Sequence, residues 1–255
     1  MQATISGAKP TAGKCPHCGN SLPQTNIALP GFRPRLIDMP CTCPKAVAES
    51  KREEREAFNR ARAEVFNRIW SRANIPEEFK HVEADFSMAD VLDSHHALYL
   101  TGETGRGKTH KACQYAKGYL IRHIRKEHGS MWCDTSIQFL EAETVQSLLR
   151  STWNRWDQSE DDLFQRWVGV GLLVFDDIGK GNPSETAAEN VFRIIRRRQE
   201  GHKETIFTSQ YSTGELVDRF SQASDRTTST MKSRLRGWCT GIVLDGPDRR
   251  IERIR

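Results

Sequence analysis

The sequence contains no long apolar stretch. No part of the 255 residues approaches the run of roughly 18 consecutive apolar residues that a transmembrane helix needs. The first residues, MQATISGAKPTAGK, also lack the apolar core of a secretory signal peptide. With 28% charged residues and a formal net charge of +5, the composition is typical of a soluble globular protein, for which we expect a cytoplasmic location.

Acidic residues are almost absent from the first 45 positions, where Asp38 is the only one. This stretch is rich in Pro, Gly, Thr and Cys, so it has too few apolar side chains to bury a core by itself. We therefore expect residues 1–45 to form a small module that needs an additional cross-link.

The cysteine pattern suggests what that cross-link is. Four of the seven cysteines form two close pairs, Cys15 with Cys18 and Cys41 with Cys43, and an odd total argues against a disulfide framework. Gly19 permits a tight turn after the first pair, so the pattern favours a tetrahedral zinc site with four thiolate ligands. The other three cysteines, Cys113, Cys133 and Cys239, are scattered downstream.

A redox centre is the alternative for the first pair, because Cys-Pro-His-Cys is similar to the active site of thiol oxidants. That interpretation leaves Cys41 and Cys43 unexplained, and no strand-like run precedes Cys15. His17 could replace a thiol, but a histidine between two ligands of one knuckle is more often a bystander.

A charged amphipathic helix is predicted over residues 46–73, and Asn74-Ile75-Pro76 would end it. This helix makes up the linker between the two domains, which is predicted to span residues 46–74. Its apolar positions, at spacings of three and four, are Phe58, Ala61, Val65 and Ile69, beside Phe66 and Trp70. The stripe is explained either by packing on a neighbouring domain or by docking of a partner protein.

From about Ser94, short apolar runs alternate with helical patterns. The runs are HALYLTG, SIQFLEA, VGLLVFDD and ETIFTSQ. This order predicts an α/β fold in which a parallel sheet is covered by helices. Ligands of such sheets bind outside the carboxyl ends of the strands, and three of these runs end in polar positions at Gly102, Asp177 and Gln210.

A phosphate-binding loop is predicted immediately after the first of these runs. The segment GETGRGKT fits the pattern G-x-x-x-x-G-K-[ST] and precedes a helical pattern. Lys108 would reach the β- and γ-phosphates of ATP, while Thr109 would offer its hydroxyl to Mg²⁺. The expected nucleotide-binding residues are Gly102, Glu103, Thr104, Gly105, Arg106, Gly107, Lys108, Thr109 and His110.

A second nucleotide motif is predicted 68 residues beyond Lys108, where LLVFDD is an apolar strand ending in two carboxylates. Asp176 is expected to hold Mg²⁺ and Asp177 to polarise the attacking water. The alternative is a buried strand that ends in a capping aspartate. Asp177 is one methylene shorter than a glutamate in this role would be.

GETGRGKT, LLVFDDIG, ETIFTSQYS and TMKSRLRG together resemble the AAA+ ATPases of the DnaC/DnaI helicase-loader and IstB transposition group. The resemblance runs from about Ile75 to the C terminus. It implies an AAA+ P-loop ATPase domain over residues 75–255, preceded by the zinc-binding module and the linker helix.

The resemblance also implies roles for three further residues. Gln210 occupies the polar sensor position, and Arg234 matches the arginine finger that acts on ATP bound by a neighbouring subunit. Arg198 lies where such proteins often place an inter-subunit arginine. For both arginines, the alternative is a solvated helix face.

The segment LLRSTWNRWDQSEDDLFQRW interleaves basic and aromatic residues, which suit phosphates and unstacked bases respectively. By the resemblance, this interval contacts single-stranded DNA, and the candidate contacts are Arg150, Trp153 and Arg155. The alternative is that the tryptophans pack inside a helical hairpin.

The preferred functional interpretation is an ATP-dependent loader of a replicative hexameric helicase onto single-stranded DNA. It implies a homo-oligomer with ATP, Mg²⁺ and Zn²⁺ as cofactors, in the cytoplasm near the nucleoid. The first alternative is an IstB-like ATPase that delivers a transposase to target DNA. The second is a nucleotide-gated adaptor with little turnover, suggested by Asp177 and Gln210.

Overall fold

The computed structural model describes residues 13–28, 33–95, 97–153, 157, 159–181, 184–221 and 228–248. The chain divides into two compact units, Met1–Ala61 and Arg62–Arg255. The division falls inside the first helix, α1 (Pro44–Trp70), so each unit contains a part of it.

The first unit contains a short antiparallel pair of strands, β1 (Gln24–Ile27) and β2 (Arg35–Asp38). The carboxylate of Asp38 accepts hydrogen bonds from the backbone N–H of Gly13 at 3.0 Å and from the side chain of Gln24 at 2.7 Å. Among the described residues up to Ala61, only Cys15 is buried. The expectation that this stretch buries little core is confirmed.

Helix α1 begins two residues before the predicted span of 46–73 and ends three residues before the end of that span, and Asn74 beyond it has a φ of 56°, in the left-handed region. In the second unit its apolar stripe is packed: Val65 and Trp70 are buried, and Phe66 stacks on Trp70 with ring centroids 5.5 Å apart. The indole N–H of Trp70 donates to the Lys80 carbonyl at 3.1 Å. This end of the helix is therefore part of the core of the second unit.

The second unit is built on one parallel sheet of five strands, in the order β6-β7-β8-β3-β9. Its strands are β3 (Ala97–Thr101), β6 (Ile137–Glu141), β7 (Leu172–Asp176), β8 (Thr205–Ser209) and β9 (Cys239–Val243). The four predicted strand runs are confirmed, and β9 is an addition. A hairpin of β4 (Ile124–Glu127) and β5 (Ser130–Cys133) also escaped prediction.

Helices cover both faces of this sheet, as the alternating pattern predicts. They are α2 (Ala89–His95), α3 (Lys108–His123), α4 (Val145–Ser151), α5 (Glu160–Gly169), α6 (Glu185–Glu200), α7 (Thr213–Ser221) and α8 (Thr228–Trp238). Successive strand residues point to opposite faces, so Leu98 and Leu100 join one apolar cluster while Tyr99 joins the other. No helix in the described part of the chain has both the length and the apolar character to cross a membrane.

The order of the strands places a crevice at the carboxyl end of β3. This strand lies between β8 and β9, whereas the chain proceeds from β3 through α3 and the hairpin to β6 at the far edge. Such a reversal of direction in an open α/β sheet is where ligands bind. The phosphate loop follows β3 at this point.

Candidate functional site

The predicted phosphate loop connects β3 to α3, as the motif requires. Gly107 precedes the helix with a left-handed φ of 78°, so backbone N–H groups lead into the positive end of the α3 dipole. Lys108 is 7% exposed, and its ammonium donates to the carbonyls of Gly102 at 2.9 Å and Glu103 at 3.0 Å. The carbonyls of the loop therefore hold the ammonium of Lys108 at the edge of the loop, beside the backbone N–H groups that would surround a phosphate.

Two glycines of the loop also make room for the segment after β9. A β-carbon on Gly102 would lie 2.4 Å from the carbonyl oxygen of Leu244, and one on Gly105 would lie 2.1 Å from a carboxylate oxygen of Asp248. Gly105 has a φ of 84°, which disfavours any other residue as well. Residues 244–248 thus form one wall of the phosphate loop.

The two predicted magnesium ligands, Thr109 and Asp176, lie within hydrogen-bond distance of each other. The hydroxyl of Thr109 donates to one carboxylate oxygen of Asp176 at 3.1 Å. The hydroxyl of Thr208, on β8, donates to the other carboxylate oxygen at 2.6 Å and accepts from the backbone N–H of Asp177 at 2.8 Å. Hydroxyl and carboxylate oxygens are the ligands that Mg²⁺ prefers, so Thr109 and Asp176 could hold it here.

Burial raises the pKa of Asp176 to about 6, the hydrogen bond from Thr208 opposes the rise, and the neighbouring charge of Asp177 adds to it. The carboxyl group is 5% exposed and has no cationic partner among its described hydrogen bonds. A divalent cation would supply the missing positive charge, which is what a metal ligand at this position should need.

Asp177 lies directly after the strand in a left-handed conformation, with φ of 53°. Its carboxylate is 36% exposed and lies 3.5 Å from the ammonium of Lys180. This conformation is uncommon for a non-glycine residue, and it leaves the carboxylate partly exposed at the end of the strand. Its predicted role on the attacking water remains a proposal.

Gln210 and His110 both lie near the loop. The side-chain carbonyl of Gln210, directly after β8, accepts from the hydroxyl of Thr104 at 3.3 Å, so the predicted sensor amide is beside the phosphate loop. His110, on the first turn of α3, packs edge-on against Phe79 with ring centroids 6.3 Å apart.

Neither interpretation of Arg198 was right, because the residue is fully buried rather than solvated or available to a neighbouring subunit. Its guanidinium donates to the hydroxyl of Thr205 and to main-chain carbonyls around the end of α5 and the start of β8. These carbonyls belong to Trp167, Val168, Val170, Gly171 and Glu204. Burial lowers the pKa of Arg198 to about 9, which still leaves it charged at neutral pH. Arg198 therefore caps a helix and ties it to the sheet.

Arg234 has a different environment. It lies on α8 with 32% of its side chain exposed, where it donates to the side-chain carbonyl of Gln199 at 3.0 Å and lies 3.7 Å from the carboxylate of Glu200. These partners end α6, just before the chain enters the sheet at the start of β8. That edge is opposite to the phosphate loop of the same chain.

Two of the three candidate DNA contacts can be placed. Arg150 is exposed on α4, and Trp153 is 70% exposed, with its indole N–H directed to Glu160. Trp167, from the same segment, is buried in the core, so the packing interpretation holds for this tryptophan, and the DNA contact of Trp153 stays a prediction. Arg155 lies outside the described residues.

The four predicted zinc ligands converge in the first unit. The thiol sulfurs of Cys15, Cys18, Cys41 and Cys43 all lie within 4.8 Å of one another. The Cys15–Cys43 separation is 3.9 Å and the Cys18–Cys41 separation is 3.6 Å. Tetrahedral zinc with Zn–S bonds of about 2.3 Å needs sulfurs about 3.8 Å apart, so the cluster fits a zinc ion.

Backbone N–H groups also surround the sulfurs. Those of His17, Cys43 and Ala46 lie 3.4 Å from the sulfurs of Cys15, Cys41 and Cys43 respectively. Such bonds stabilise thiolates in metal sites. The imidazole of His17 contacts Glu49 at 2.5 Å, which is consistent with the bystander interpretation of this histidine.

Thr208 and Asp248 are the site residues that sequence reasoning missed. Thr208 precedes the polar end of a predicted strand, and an in-strand hydroxyl two residues before Gln210 was the available signal. Asp248 had no signal, because its position depends on β9, which the short CTGIV run did not reveal.

The sequence profile of the family described as IstB-like ATP binding protein matches residues 77–253. Among solved structures, a crystal structure of DnaI is similar, with 18% identity, a TM-score of 0.49, and coverage of 69% of this chain and 94% of that one. A putative primosome component from Streptococcus pyogenes serotype M3 matches with 21% identity, a TM-score of 0.48, and coverage of 72% and 98%. The DnaC helicase loader matches with 18% identity, a TM-score of 0.47, and coverage of 69% and 98%.

The family profile spans more than two thirds of the chain and includes the phosphate loop, Asp176 and Gln210. This match supports ATP as the nucleotide and an ATPase as the class of enzyme. The chain belongs to the family of IstB-like ATP binding proteins.

Proposed function

We propose that this protein uses ATP to load a replicative ring helicase onto single-stranded DNA. The observation that carries the proposal is the joining, in one chain, of an IstB-like ATP-binding unit with a compact four-thiolate module. A module of this size has too small a core for an enzyme site of its own, so recognition of a protein is the role that suits it. The alternative, an IstB-like transposition ATPase, gives no role to the four-thiolate module.

The ATP site supplies the first step. The backbone of the phosphate loop and the ammonium of Lys108 bind the phosphates, and Thr109 and Asp176 hold Mg²⁺, which neutralises charge on the β- and γ-phosphates when it is bound. Asp177 orients water towards the γ-phosphate. Thr208 keeps the carboxylate of Asp176 in place through its 2.6 Å hydrogen bond.

Assembly supplies the second step. The partners of Arg234 lie at the edge of the sheet opposite to the phosphate loop, so this guanidinium is suited to ATP on a neighbouring subunit rather than on its own. ATP would then link subunits together. Arg150 and the exposed indole of Trp153 would be repeated along the assembly and would contact phosphates and bases of the strand.

A loading assay tests the proposal. The chain, the hexameric replicative helicase of the same cell, ATP and circular single-stranded DNA are mixed, and helicase bound to the circle is measured after gel filtration. We expect loading with wild type and its loss in Lys108→Ala, which removes the charge that meets the phosphates. Lys117→Ala, on the same helix, is the matched control.

Two results would contradict the proposal. One is a wild-type chain that neither binds the helicase nor raises its occupancy of the circle. The other is phosphate release that is undetectable with and without single-stranded DNA, which would favour the nucleotide-gated adaptor.

A further inference from the structure

A cavity of about 480 Å³ lies at the edge of the sheet opposite to the phosphate loop. Its wall includes Ile137, the first residue of β6, and Val170, two residues before β7. Asp176 ends β7, four residues or roughly 13 Å further along the strand from its start. The cavity is therefore separate from the nucleotide site.

The charge of this cavity is of one sign. Arg68, Arg72 and Arg166 line it and are exposed, whereas no aspartate or glutamate is among its lining residues. Within the described part of the chain, none of the three guanidinium groups has a carboxylate oxygen within 4.0 Å. Asp162, one turn before Arg166, is instead bonded to Ser159 at the start of α5. Three positive charges thus line a common space without a close ion pair, although the hydrogen bonds from Ser159, and in addition the charge of Arg166, lower the pKa of Asp162.

Helix capping does not account for Arg166. Basic residues in a last helical turn often stabilise the free carbonyls there. At the end of α5, however, the carbonyls of Trp167, Val170 and Gly171 accept from the buried Arg198. Arg166 is left exposed with its guanidinium at the cavity.

The end of α1 shows the same arrangement. Arg68 is in its last turn, and Arg72 lies two residues beyond its end at Trp70. The carbonyls of that turn accept from the backbone N–H groups of Ser71, Arg72 and Ala73 at 3.0 to 3.2 Å. The helix end is therefore satisfied by its own backbone, and neither arginine side chain is needed for it.

The rest of the wall combines amide and apolar groups. Gln138 and Gln165 contribute amides, and Ile69 and Val170 contribute apolar surface. The volume lies within the range of small-ligand pockets, roughly 300 to 1,000 Å³. Guanidinium groups bind phosphate with two hydrogen bonds, and amides bind base edges, so the wall suits a nucleotide unit with its flanking phosphates.

We propose that this cavity binds phosphates of single-stranded DNA, as a second contact beyond Arg150 and Trp153. The proposal rests on the proposed function, because it takes the DNA strand from there. Three clustered guanidinium groups match successive phosphates of a strand. The apolar and amide groups would receive the nucleotide between those phosphates.

The test uses the full chain with ATP and Mg²⁺ and a fluorescent oligothymidylate, whose binding is followed by anisotropy at several salt concentrations. For Arg68→Ala/Arg72→Ala, the slope of log K against log salt should fall by about 1.4, because each phosphate contact on a single strand contributes about 0.7. This corresponds to roughly 25-fold weaker binding at 0.1 M salt if the variant and wild type converge at 1 M.

Two variants make the test specific. Arg122→Ala/Arg125→Ala removes the same charge from exposed positions outside the cavity lining, where the arginines contact Asp90 and Asp134, and its slope should stay close to wild type. Arg68→Lys/Arg72→Lys keeps the charge, so it should restore the slope and only part of the affinity.

The cavity proposal is wrong if Arg68→Ala/Arg72→Ala binds the oligonucleotide with the affinity and slope of the Arg122→Ala/Arg125→Ala control. It is also wrong if labelled polyglutamate binds wild type and loses affinity in Arg68→Ala/Arg72→Ala while the affinity for the oligonucleotide stays unchanged, because the cavity would then bind an acidic peptide and not the strand. A wild-type chain that binds no oligonucleotide overturns the DNA contact of the proposed function as well.

Discussion

Among the described residues of the first unit only Cys15 is buried, whereas the second unit buries apolar clusters on both faces of a parallel sheet. The two units therefore depend on different chemistry for the same purpose. In the first, four sulfurs converge where there is almost no core, so we expect its folding to depend on a bound metal. In the second, apolar packing is sufficient, and polar groups are left for binding and catalysis.

Removing the metal should have the largest effect, and only on the first unit. Structural zinc contributes about 10 to 16 kcal/mol in small zinc-stabilised domains, far more than the first unit could recover from its own packing. We expect one zinc per chain. Cys18→Ser should lose the metal and make residues 13–61 sensitive to proteolysis, while nucleotide binding by the second unit is retained.

Cys133→Ser is the matched control, because this cysteine is outside the cluster and should leave the zinc content at one. Metal analysis and limited proteolysis provide the two readouts. Purified protein without zinc, or with the four cysteines in disulfides, would contradict the comparison between the units.

How far the sequence predicts each unit follows from the same difference. The second unit could be predicted because its local sequence patterns are strong. Buried strands such as β7 are apolar runs in the sequence, and the glycines, lysine and threonine of the phosphate loop have a fixed spacing. In the first unit, only the cysteine spacing was informative, because β1 and β2 have exposed residues and no apolar alternation. The features that could not be predicted are contacts between distant parts of the chain. Examples are the hydrogen bond from Thr208 to Asp176 and the hydrogen bonds from Arg198 to the carbonyls at the end of α5.

The second prediction concerns the exposed arginine of the second unit. Arg234→Ala should reduce ATP turnover by about 10³ to 10⁵-fold while ATP affinity is kept, if its guanidinium completes the site of a neighbour. Mixing Arg234→Ala with Lys108→Ala should restore part of the activity, because a mixed assembly contains interfaces in which both groups are intact. Phosphate release in the mixture is the measurement.

Arg236→Ala is the matched control, since this exposed arginine is on the same helix two residues away. Absence of recovery in the mixture, or full activity in a monomer, would indicate that Arg234 does not act between subunits.

The buried arginine should behave in the opposite way. Arg198→Met removes a guanidinium that satisfies several buried carbonyls, so we expect the free energy of unfolding of the second unit to fall by about 3 to 5 kcal/mol. Urea unfolding measures the loss. Arg196→Met, exposed on the same helix, should change it by less than about 0.5 kcal/mol.

Arg198→Lys keeps the charge but cannot reach all of these carbonyls, so its stability should lie between those of wild type and Arg198→Met. If Arg198→Met were as stable as Arg196→Met but lost ATP turnover, and mixing it with Lys108→Ala restored part of that turnover, Arg198 would have the inter-subunit role that its burial argues against.

The smallest expected effect is at Thr208, where the second unit uses one hydroxyl to position a metal ligand. Thr208→Val keeps the shape of the side chain but removes the hydrogen bond to Asp176 and the acceptor for the N–H of Asp177. A buried hydrogen bond to a charged group is worth about 1.5 to 3 kcal/mol, part of which should appear as a roughly tenfold higher Mg²⁺ requirement for ATP turnover.

Thr208→Ser restores the hydroxyl and should return the Mg²⁺ requirement close to that of wild type. Thr205→Val, on the same strand, also loses a buried hydroxyl, but that hydroxyl accepts from Arg198, so stability should fall without a change in the Mg²⁺ requirement. Equal Mg²⁺ titrations for Thr208→Val and wild type would show that Asp176 keeps its position without Thr208, and that packing alone aligns the magnesium site.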